Sequence, residues 1–377
     1  MVGLLRRIGA WIRDAWLVIG ITLAMLVGVE LAYRAQGALR RAVRGEASAP
    51  VSNVPHPNDA EPWWRATSSE AVFHADDIRY DPFRGWWPKA RSGRYVNIDT
   101  LGRRATPQAP LEIPRPRTVH VFGGSSMWGW IVRDSFTVPA LLASELRARG
   151  IRDVRVINHA QSTFDLAQNA ATLLQEIRFG RIPDVAVFVD GNNEVAPAYQ
   201  NGRVGSIINE RLLAQRFERQ EGARGFLAAV SRHSELVRRF IDREAPMAPG
   251  EPWRQCDEIA ASYREQARAL AAVGKAYAFT PLFYWQPQLA NSRKQRSPWE
   301  RSVSAEAGWQ KMVVRCSAAV DSAMSAMREV RYQPLHALFD HDTLAVFTDA
   351  YGHVTERANA VIAHRIATDV AAALGRR

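Results

Sequence analysis

The stretch HVFGGSSMWGW, residues 120–130, decides the fold. It ends a short apolar run and continues into two glycines, two serines and two tryptophans. An apolar run closed by glycines is typical of a buried strand that ends in a tight turn. Two interpretations follow: a turn over an apolar core, or a loop that presents a nucleophilic serine in a pocket.

The residues around this stretch predict alternating strands and helices. Strands are expected at 118–122, 154–158 and 183–193, within 276–285, and at 344–349. Helices are expected at 137–150, 165–180, 256–273, 305–327 and 355–374. Such alternation predicts a parallel sheet with helices on both faces. The segment 194–252 has helical but no strand periodicity, which predicts a helical cap inserted after the third strand.

Ligands of open α/β sheets bind at the carboxyl ends of the strands. The residues at those ends are polar or small: Gly123 to Ser126 after the first strand, Asn158 to Ala160 after the second, Asp190 to Glu194 after the third, and Asp349 and His353 after the last. A serine, an asparagine and a histidine are therefore expected at one edge of the sheet.

These strand ends resemble the SGNH hydrolase superfamily, also called GDSL-like. The stretch YDPFRGWWPKARSGRYVNIDTLGRR at 80–104 is similar to the lead-in of the membrane-anchored bacterial type of this superfamily. GGS at 123–125 is similar to the first family block, Gly-Asp-Ser, and the likeness implies Ser125 as nucleophile. NHA at 158–160 has Ala160 where the second block has glycine. GNNE at 191–194 is similar to the third block, with Asn193 as the block residue and Glu194 in place of the usual acid.

The last family block, Asp-x-x-His, resembles DAYGHVT at 349–355. The resemblance implies His353 as general base and Asp349 as its partner, although Asp349 stands four residues before the histidine instead of three. A backbone carbonyl, Asp340 or Asp342 are alternative partners for the imidazole. Ser126 is the alternative nucleophile.

The resemblance covers about residues 118–375 and implies a flavodoxin-like three-layer α/β/α fold. It also implies an oxyanion hole made by the backbone N–H of Ser125, the backbone N–H of Ala160 and the side-chain amide of Asn193. A serine hydroxyl needs an adjacent base to attack an ester, and the developing oxyanion needs fixed donors. No metal or other cofactor is expected.

Trp128, His159 and Trp285 are the candidate substrate-binding residues, because each falls near a predicted strand end. Indole faces, including that of Trp130, can stack on sugar rings or simply pack a core. His159 can contact substrate or serve as a structural histidine.

The N-terminus predicts a membrane anchor at residues 15–33, after a short basic segment at 1–14. No charged residue occurs from Ala15 to Val29, close to the minimum length of a membrane span. Arginines flank the run on both sides, so charge does not set its orientation. A cleaved signal peptide is the alternative, but the sequence lacks a good cleavage site.

Three further segments are expected after the anchor. A linker is expected at 34–62, a lead-in segment at 63–117 and a hydrolase-like domain at 118–377. The localisation expected is the cell inner membrane, single-pass, with the catalytic domain on the periplasmic side.

Composition excludes several classes. A hydrophobic share of 47% with 23% charged residues is ordinary for a globular chain and excludes disorder. The net charge of +11 comes from scattered residues, 45 arginines and 4 lysines, rather than one basic patch, so no nucleic-acid partner is expected. Cys256 and Cys316 could form a disulfide or remain free thiols, and two cysteines alone make no zinc site.

The function expected is a serine ester hydrolase, an esterase or deacylase working through an acyl-serine. Its substrate would be an O-acylated carbohydrate, a small molecule or another envelope ester. An O-acyltransferase that modifies an extracellular polysaccharide uses the same intermediate. A non-catalytic relative that binds glycan or scaffolds an envelope complex is the alternative of a different class, while the acceptor, protein partners and oligomeric state stay open.

Overall fold

The structure is a computed structural model that describes residues 2–44, 54–72, 77–111, 113–208, 210, 252–303, 305 and 307–375. Helix α1, Val2–Arg44, stands in a unit of its own. Its segment Gly9–Gln36 is long and apolar enough to cross a membrane, by length and composition, a test that a signal sequence also passes. The expected anchor lies within this segment.

In the main unit, the lead-in segment contains a short helix and a hairpin. Helix α2 is Trp64–Ala71, and strands β1, Ile78–Asp81, and β2, Gly85–Pro88, pair antiparallel. Neither the helix nor the hairpin is among the elements predicted from the sequence.

The central sheet has five parallel strands: β3, Arg117–Gly123; β4, Val154–Asn158; β5, Val185–Asp190; β6, Thr280–Trp285; and β7, Arg331–Pro334. Their order is β4-β3-β5-β6-β7. Counted along the chain this is 2-1-3-4-5, the order of flavodoxin-like doubly wound sheets. All six residues of β5 are buried, as expected for a strand covered on both faces.

Helices cover the sheet on both sides, and each follows a strand end or connects two strands. They are α3, Ser125–Trp128; α4, Val138–Ala148; α5, Leu166–Arg178; α6, Asn192–Asn201; α7, Pro252–Tyr277; α8, Pro298–Ser302; α9, Ala307–Ser325; and α10, Glu356–Leu374. Helices α4 and α10 pack on one face, around Val119 and Val121. Helices α5, α7 and α9 pack on the other, around Phe122 and Phe188. The three-layer expectation is confirmed.

One of the strand predictions is wrong. Residues 344–349 form no strand; Phe347 makes only an isolated antiparallel bridge to Val354. The fifth strand is instead β7, whose sequence RYQP has no apolar run because it lies at the edge of the sheet. The predicted strand within 276–285 begins only at Thr280, because helix α7 continues to Tyr277. Most of the expected cap, at 209 and 211–251, lies outside the described residues.

The two cysteines are joined. Cys256 on α7 and Cys316 on α9 form a disulfide between neighbouring helices, and both are fully buried. Of the two states that the sequence left open, the structure has the oxidised one. The bond ties together two helices that cover one face of the sheet.

Candidate active site

Ser125, His353 and Asp349 meet at the carboxyl edge of the central sheet. Ser125 Oγ lies 2.7 Å from Nε2 of His353. On the other side of the ring, His353 Nδ1 is hydrogen-bonded to Oδ2 of Asp349. Because a carboxylate only accepts, Nδ1–H donates to it, and Nε2 is left to accept the serine hydroxyl proton. The three side chains have the relationship of a Ser-His-Asp triad.

The backbone explains how Asp349 reaches a histidine four residues away. The N–H of Thr348 donates to the carbonyl of His353 at 2.9 Å, which closes a narrow hairpin over residues 349–352. Gly352 completes the turn with a φ of +90°, a conformation that side chains rarely adopt. The extra residue is absorbed in the turn, so positions 349 and 353 face each other.

Several groups hold the Asp349 carboxylate in its ionised form. Burial by itself would raise the pKa of this carboxyl, but His353 and the backbone N–H groups of Tyr351 and His353 outweigh burial, and the pKa is lowered overall. Tyr351 N–H donates to Oδ1 at 2.8 Å. Oδ1 is therefore fixed by the backbone, while Oδ2 is left to orient the imidazole.

The alternative partners for the imidazole are engaged elsewhere. Asp340 Oδ1 accepts the backbone N–H of Arg293 at 2.9 Å. Asp342 Oδ2 forms an ion pair with Arg357 at 2.8 Å. Neither carboxylate contacts His353 in these interactions, which leaves Asp349 as the acid of the site.

Ser126 has a different partner from Ser125. Its hydroxyl donates to the backbone carbonyl of Gly352 at 3.2 Å. Ser126 thus ties the serine helix α3 to the histidine loop, and Ser125 is the serine within hydrogen-bond distance of the imidazole.

The glycine before the serine allows a close approach by Asn193. A Cβ built on Gly124 would stand 2.2 Å from Nδ2 of Asn193, a distance that no side chain tolerates. This amide donates one proton to the carbonyl of Phe164 at 2.8 Å, which leaves its second proton for another acceptor. The family block usually has an aspartate where this chain has Gly124, and an aspartate side chain here would displace the Asn193 amide.

The three expected oxyanion donors differ in availability. Ser125 is the first residue of α3, so its backbone N–H has no partner within the helix. The amide of Asn193 lies against Gly124, the residue before Ser125. The backbone N–H of Ala160, in contrast, donates to Oδ1 of Asn158 at 3.0 Å. Ala160 could donate to an oxyanion only by exchanging this partner.

A buried arginine from the lead-in segment holds the serine helix. Arg104 is 1% exposed, and its guanidinium donates to the carbonyls of Gly129 at 2.6 Å and Val132 at 2.7 Å. Its Nε donates to Asp134 at 2.7 Å, and the guanidinium lies over the Trp128 ring. Arg104 ends the stretch 80–104 that resembles the family's lead-in, but nothing in the sequence predicts that it holds the serine helix.

A second buried ion pair supports the segment before Asp349. Lys294 and Glu300 are both inaccessible to solvent and lie 2.5 Å apart. Glu300 Oε1 also accepts the backbone N–H groups of Val346 and Phe347, at 2.9 and 3.1 Å. The carboxylate therefore fixes the start of the hairpin that carries Asp349.

The three residues expected to touch substrate are all in the core. Trp128, His159 and Trp285 are each 0% exposed. Trp285 donates to the hydroxyl of Ser317 at 2.9 Å, and His159 stacks on Phe122. The expectation of substrate contact is therefore wrong for these residues, because packing covers each of them.

His159 is kept neutral by its surroundings: burial, with nearby positive charge, lowers the pKa of the imidazole well below its usual value. Trp130, whose indole face the sequence also offered for stacking, lies beside the site. Its ring lies 5.9 Å from that of His353 and is tilted by 30°.

Three acidic residues, Asp165, Asp190 and Glu194, lie close enough to influence one another's pKa. Burial raises the pKa of Asp190 to about 7 and that of Asp165 to about 6, and raises the pKa of Glu194 well above its usual value. Asp190 accepts hydrogen bonds from Asn169 and Tyr263, at 3.0 and 3.2 Å. Glu194, the residue that departs from the family block, accepts the N–H of Leu166 at 2.6 Å and so joins α6 to α5.

Groups of ligands suited to a metal ion are not found among the described residues.

The fold and site together define a class: an α/β protein with a parallel sheet and a serine, a histidine and an aspartate in triad geometry at its carboxyl edge. No family model matches the chain, and no curated protein has a significantly similar sequence.

Solved structures with a similar arrangement include a carbohydrate acetylesterase from Sinorhizobium meliloti, with 15% identity and a TM-score of 0.39 over 68% of this chain and 99% of that one. An acetylxylan esterase from Geobacillus stearothermophilus has 13% identity and a TM-score of 0.37 over 68% of this chain and 96% of its own. An alpha/beta hydrolase from the metagenome of Lake Arreo, Spain, has 15% identity and a TM-score of 0.35 over 69% and 98%. At such values the likeness identifies neither a reaction nor a substrate.

Proposed function

We propose that this protein is a serine ester hydrolase of the SGNH type that works through an acyl-serine intermediate. The observation that carries the proposal is the pair of contacts on the imidazole of His353: Ser125 Oγ at 2.7 Å from Nε2 and Asp349 on Nδ1. Three side chains from two distant parts of the chain meet in the geometry that nucleophilic catalysis requires.

In the first half of the reaction, Ser125 Oγ attacks the ester carbonyl carbon while His353 Nε2 takes the hydroxyl proton. The carbonyl oxygen becomes an oxyanion, for which the backbone N–H of Ser125 and the free proton of the Asn193 amide are the nearest candidate donors. Ala160 joins them only if its N–H leaves Asn158. When the intermediate collapses, His353 returns the proton to the departing alkoxide, and the alcohol leaves.

In the second half, a water molecule attacks the acyl-serine carbonyl and gives its proton to His353 Nε2. The second tetrahedral intermediate releases a carboxylic acid, and the proton returns to Ser125 Oγ. Asp349 stays ionised throughout and stabilises the imidazolium in each half. If an alcohol of a sugar replaces water, the same site becomes an O-acyltransferase.

The proposed substrate is an O-acylated carbohydrate or another ester of the cell envelope, and the proposed location is the outer side of the inner membrane. Two observations support this placement. Segment Gly9–Gln36 has the length and composition of a membrane span, and Cys256 and Cys316 are joined by a disulfide, which persists in oxidising compartments. A periplasm-dependent reporter fused to the C-terminus should be active; activity only of a cytoplasmic reporter would refute the placement.

The catalytic proposal is tested with the full-length protein in detergent, using a chromogenic acetyl ester and a fluorophosphonate probe. The wild type and Ser126→Ala should both hydrolyse the ester and take up the probe, and Ser125→Ala should do neither. If Ser125→Ala retains labelling, or if the wild type is as inert as Ser125→Ala, the proposal fails. Labelling without net hydrolysis, followed by release on adding an oligosaccharide, would identify transfer instead.

A further inference from the structure

Beside the histidine loop, the structure has an exposed aromatic ring held in a fixed position. Tyr351 lies in the turn between Asp349 and His353 and is 53% exposed. Its backbone N–H is fixed to Asp349, and its ring packs at 6.0 Å from that of Trp309. Trp309 in turn packs edge-on against Tyr199 at 5.4 Å. Tyr351 therefore presents an aromatic surface at the rim of the catalytic site.

Polar side chains without partners lie at the same edge. Gln286 and Gln288 follow strand β6 and are 4% and 1% exposed. Within the described part of the chain, Nε2 of Gln286 and both amide atoms of Gln288 are buried without a hydrogen-bond partner, as is Nε1 of Trp309. A polar group left unpaired inside a protein is costly, and such groups occur mainly where water or a ligand completes them.

These amides lie directly against the catalytic loops. A Cβ built on Gly352 would stand 2.8 Å from Nε2 of Gln286 and 3.4 Å from Cγ of Gln288. A Cβ on Gly191, which lies two residues before Asn193, would stand 2.8 Å from Cγ of Gln286. Gln286 thus lies between Gly191, two residues before Asn193, and Gly352, one residue before His353, and Gln288 lies against Gly352.

The chemistry of this set is selective. An aromatic face stacks on the apolar face of a sugar ring, while amides, which both donate and accept, suit hydroxyl groups. None of Tyr351, Trp309, Gln286 and Gln288 carries a charge, so the set offers no counter-ion to a charged ligand, and its buried amides are unsuited to an acyl chain.

We propose that Tyr351, Trp309, Gln286 and Gln288 form a subsite for the neutral sugar ring that bears the ester. The ring stacks on the exposed face of Tyr351, which Trp309 supports, and its hydroxyls are linked through bound water to the two buried amides. This inference rests on the proposed function, since it assumes an ester bound at Ser125 and places the alcohol half of that ester against Tyr351. It replaces the buried residues that the sequence suggested for the same task.

The test measures binding, so that it does not depend on turnover. Full-length Ser125→Ala protein in detergent, which leaves an ester intact, is titrated calorimetrically with an O-acetylated methyl glycoside of a neutral hexose. In the Ser125→Ala protein, a second substitution, Tyr351→Ala or Gln288→Leu, should raise the Kd of the glycoside about tenfold. Adding Tyr351→Phe, which keeps the aromatic face, should change it less than threefold.

A matched control is Tyr277, a tyrosine of similar exposure at the end of α7, before strand β6 begins and so at the opposite edge of the sheet. Tyr277→Ala should leave the Kd within twofold. Equal affinities in all variants would overturn the subsite, even if the fluorophosphonate probe labels Ser125. Conversely, a Kd that responds to Tyr351→Ala in a protein whose Ser125 is never labelled would sink the catalytic proposal and leave the subsite standing.

Discussion

Replacing Asp349 by asparagine is the substitution that probes the triad most selectively. The side chain keeps its shape, and its oxygen can still accept the N–H groups of Tyr351 and His353 that now bind Oδ1. The amide nitrogen must then take the place of Oδ2, opposite Nδ1 of His353. Because an amide N–H₂ only donates, Nδ1 must become an acceptor, and the imidazole proton moves to Nε2.

This change of tautomer removes the base. A protonated Nε2 at 2.7 Å from Ser125 Oγ donates to the hydroxyl and cannot take its proton. In serine proteases the equivalent substitution lowers kcat about 10⁴-fold, which corresponds to about 5.5 kcal/mol of transition-state stabilisation. We expect a loss of the same order here, with KM for a small ester changed little, because Asp349 lies behind the histidine.

The assay is the steady-state hydrolysis of a chromogenic acetyl ester by full-length protein, with folding checked by thermal denaturation. Asp342→Asn is the matched control, because Asp342 lies nearby but pairs with Arg357. The control should retain at least half of the wild-type kcat. A kcat within tenfold of the wild type for Asp349→Asn would refute the role given to this carboxylate.

Three further substitutions test the surroundings of the site. Gly124→Ala places a methyl group 2.2 Å from Nδ2 of Asn193 and should lower kcat about 10²- to 10³-fold, the loss typical of one displaced oxyanion donor, as measured on the acetyl ester. Arg104→Met leaves the Asp134 carboxylate buried without its cation and should cost about 3–5 kcal/mol of unfolding free energy in a urea titration. Asp190→Asn imitates the protonated acid. Since burial raises the pKa of Asp190 to about 7 in the folded protein, folded wild type keeps a proton that the unfolded chain releases above about pH 4. The stability of the wild type therefore falls as the pH rises from about 4 to about 7. The variant should reduce the slope of this dependence in thermal melts between pH 4 and 8, while Asp165 and Glu194, whose pKa values are also raised, retain part of it.

Each of these has a control or a contrary outcome. Gly375→Ala adds a methyl group where space and backbone allow it and should leave kcat unchanged, so equal effects at 124 and 375 would contradict the crowding argument. Arg103→Met removes a partly exposed neighbour paired with Asp99 and should cost less than about 1 kcal/mol. An equally steep fall of stability with pH in wild type and Asp190→Asn would show that this carboxyl is not the group that titrates.

Much of the site could be predicted because topology and local pattern agree. Short apolar runs that end in glycine or asparagine mark parallel strands, and the carboxyl ends of such strands share an edge. His353, 228 residues from Ser125 in sequence, was assigned to this edge by its resemblance to the last family block, because the strand expected before it at 344–349 does not form. Ser125 was found by the strand-end rule, since it follows β3. Asn193 was found by the same rule.

Other features could not be predicted, for identifiable reasons. The spacing of Asp349 looked irregular because a spacing rule assumes one loop shape, whereas a hairpin closed at Thr348 and turned by Gly352 absorbs the additional residue. Arg104 acts through backbone carbonyls, which leave no trace in a sequence pattern. An edge strand such as β7 lacks the apolar run that reveals central strands.

The tryptophans show the opposite error. Trp128 and Trp285 follow strand ends, yet side chains there point to either face of the sheet or toward the edge, and burial of a large apolar area draws them into the core. Tyr351 lies in a turn, where its ring cannot reach that core and stays half exposed. Position along the chain identifies the edge of the sheet, but packing decides which aromatic residue faces a ligand.

The central claim is that an ester transfers its acyl group to Ser125. It is tested by mixing the full-length protein with p-nitrophenyl acetate, quenching in acid within the first turnovers, and mapping the acetyl group by peptide mass spectrometry. We expect the acetyl group on Ser125 in the wild type and its absence from this peptide in Ser125→Ala. Hydrolysis that proceeds without acetylation of Ser125, or with the acetyl group on Ser126, would contradict the account.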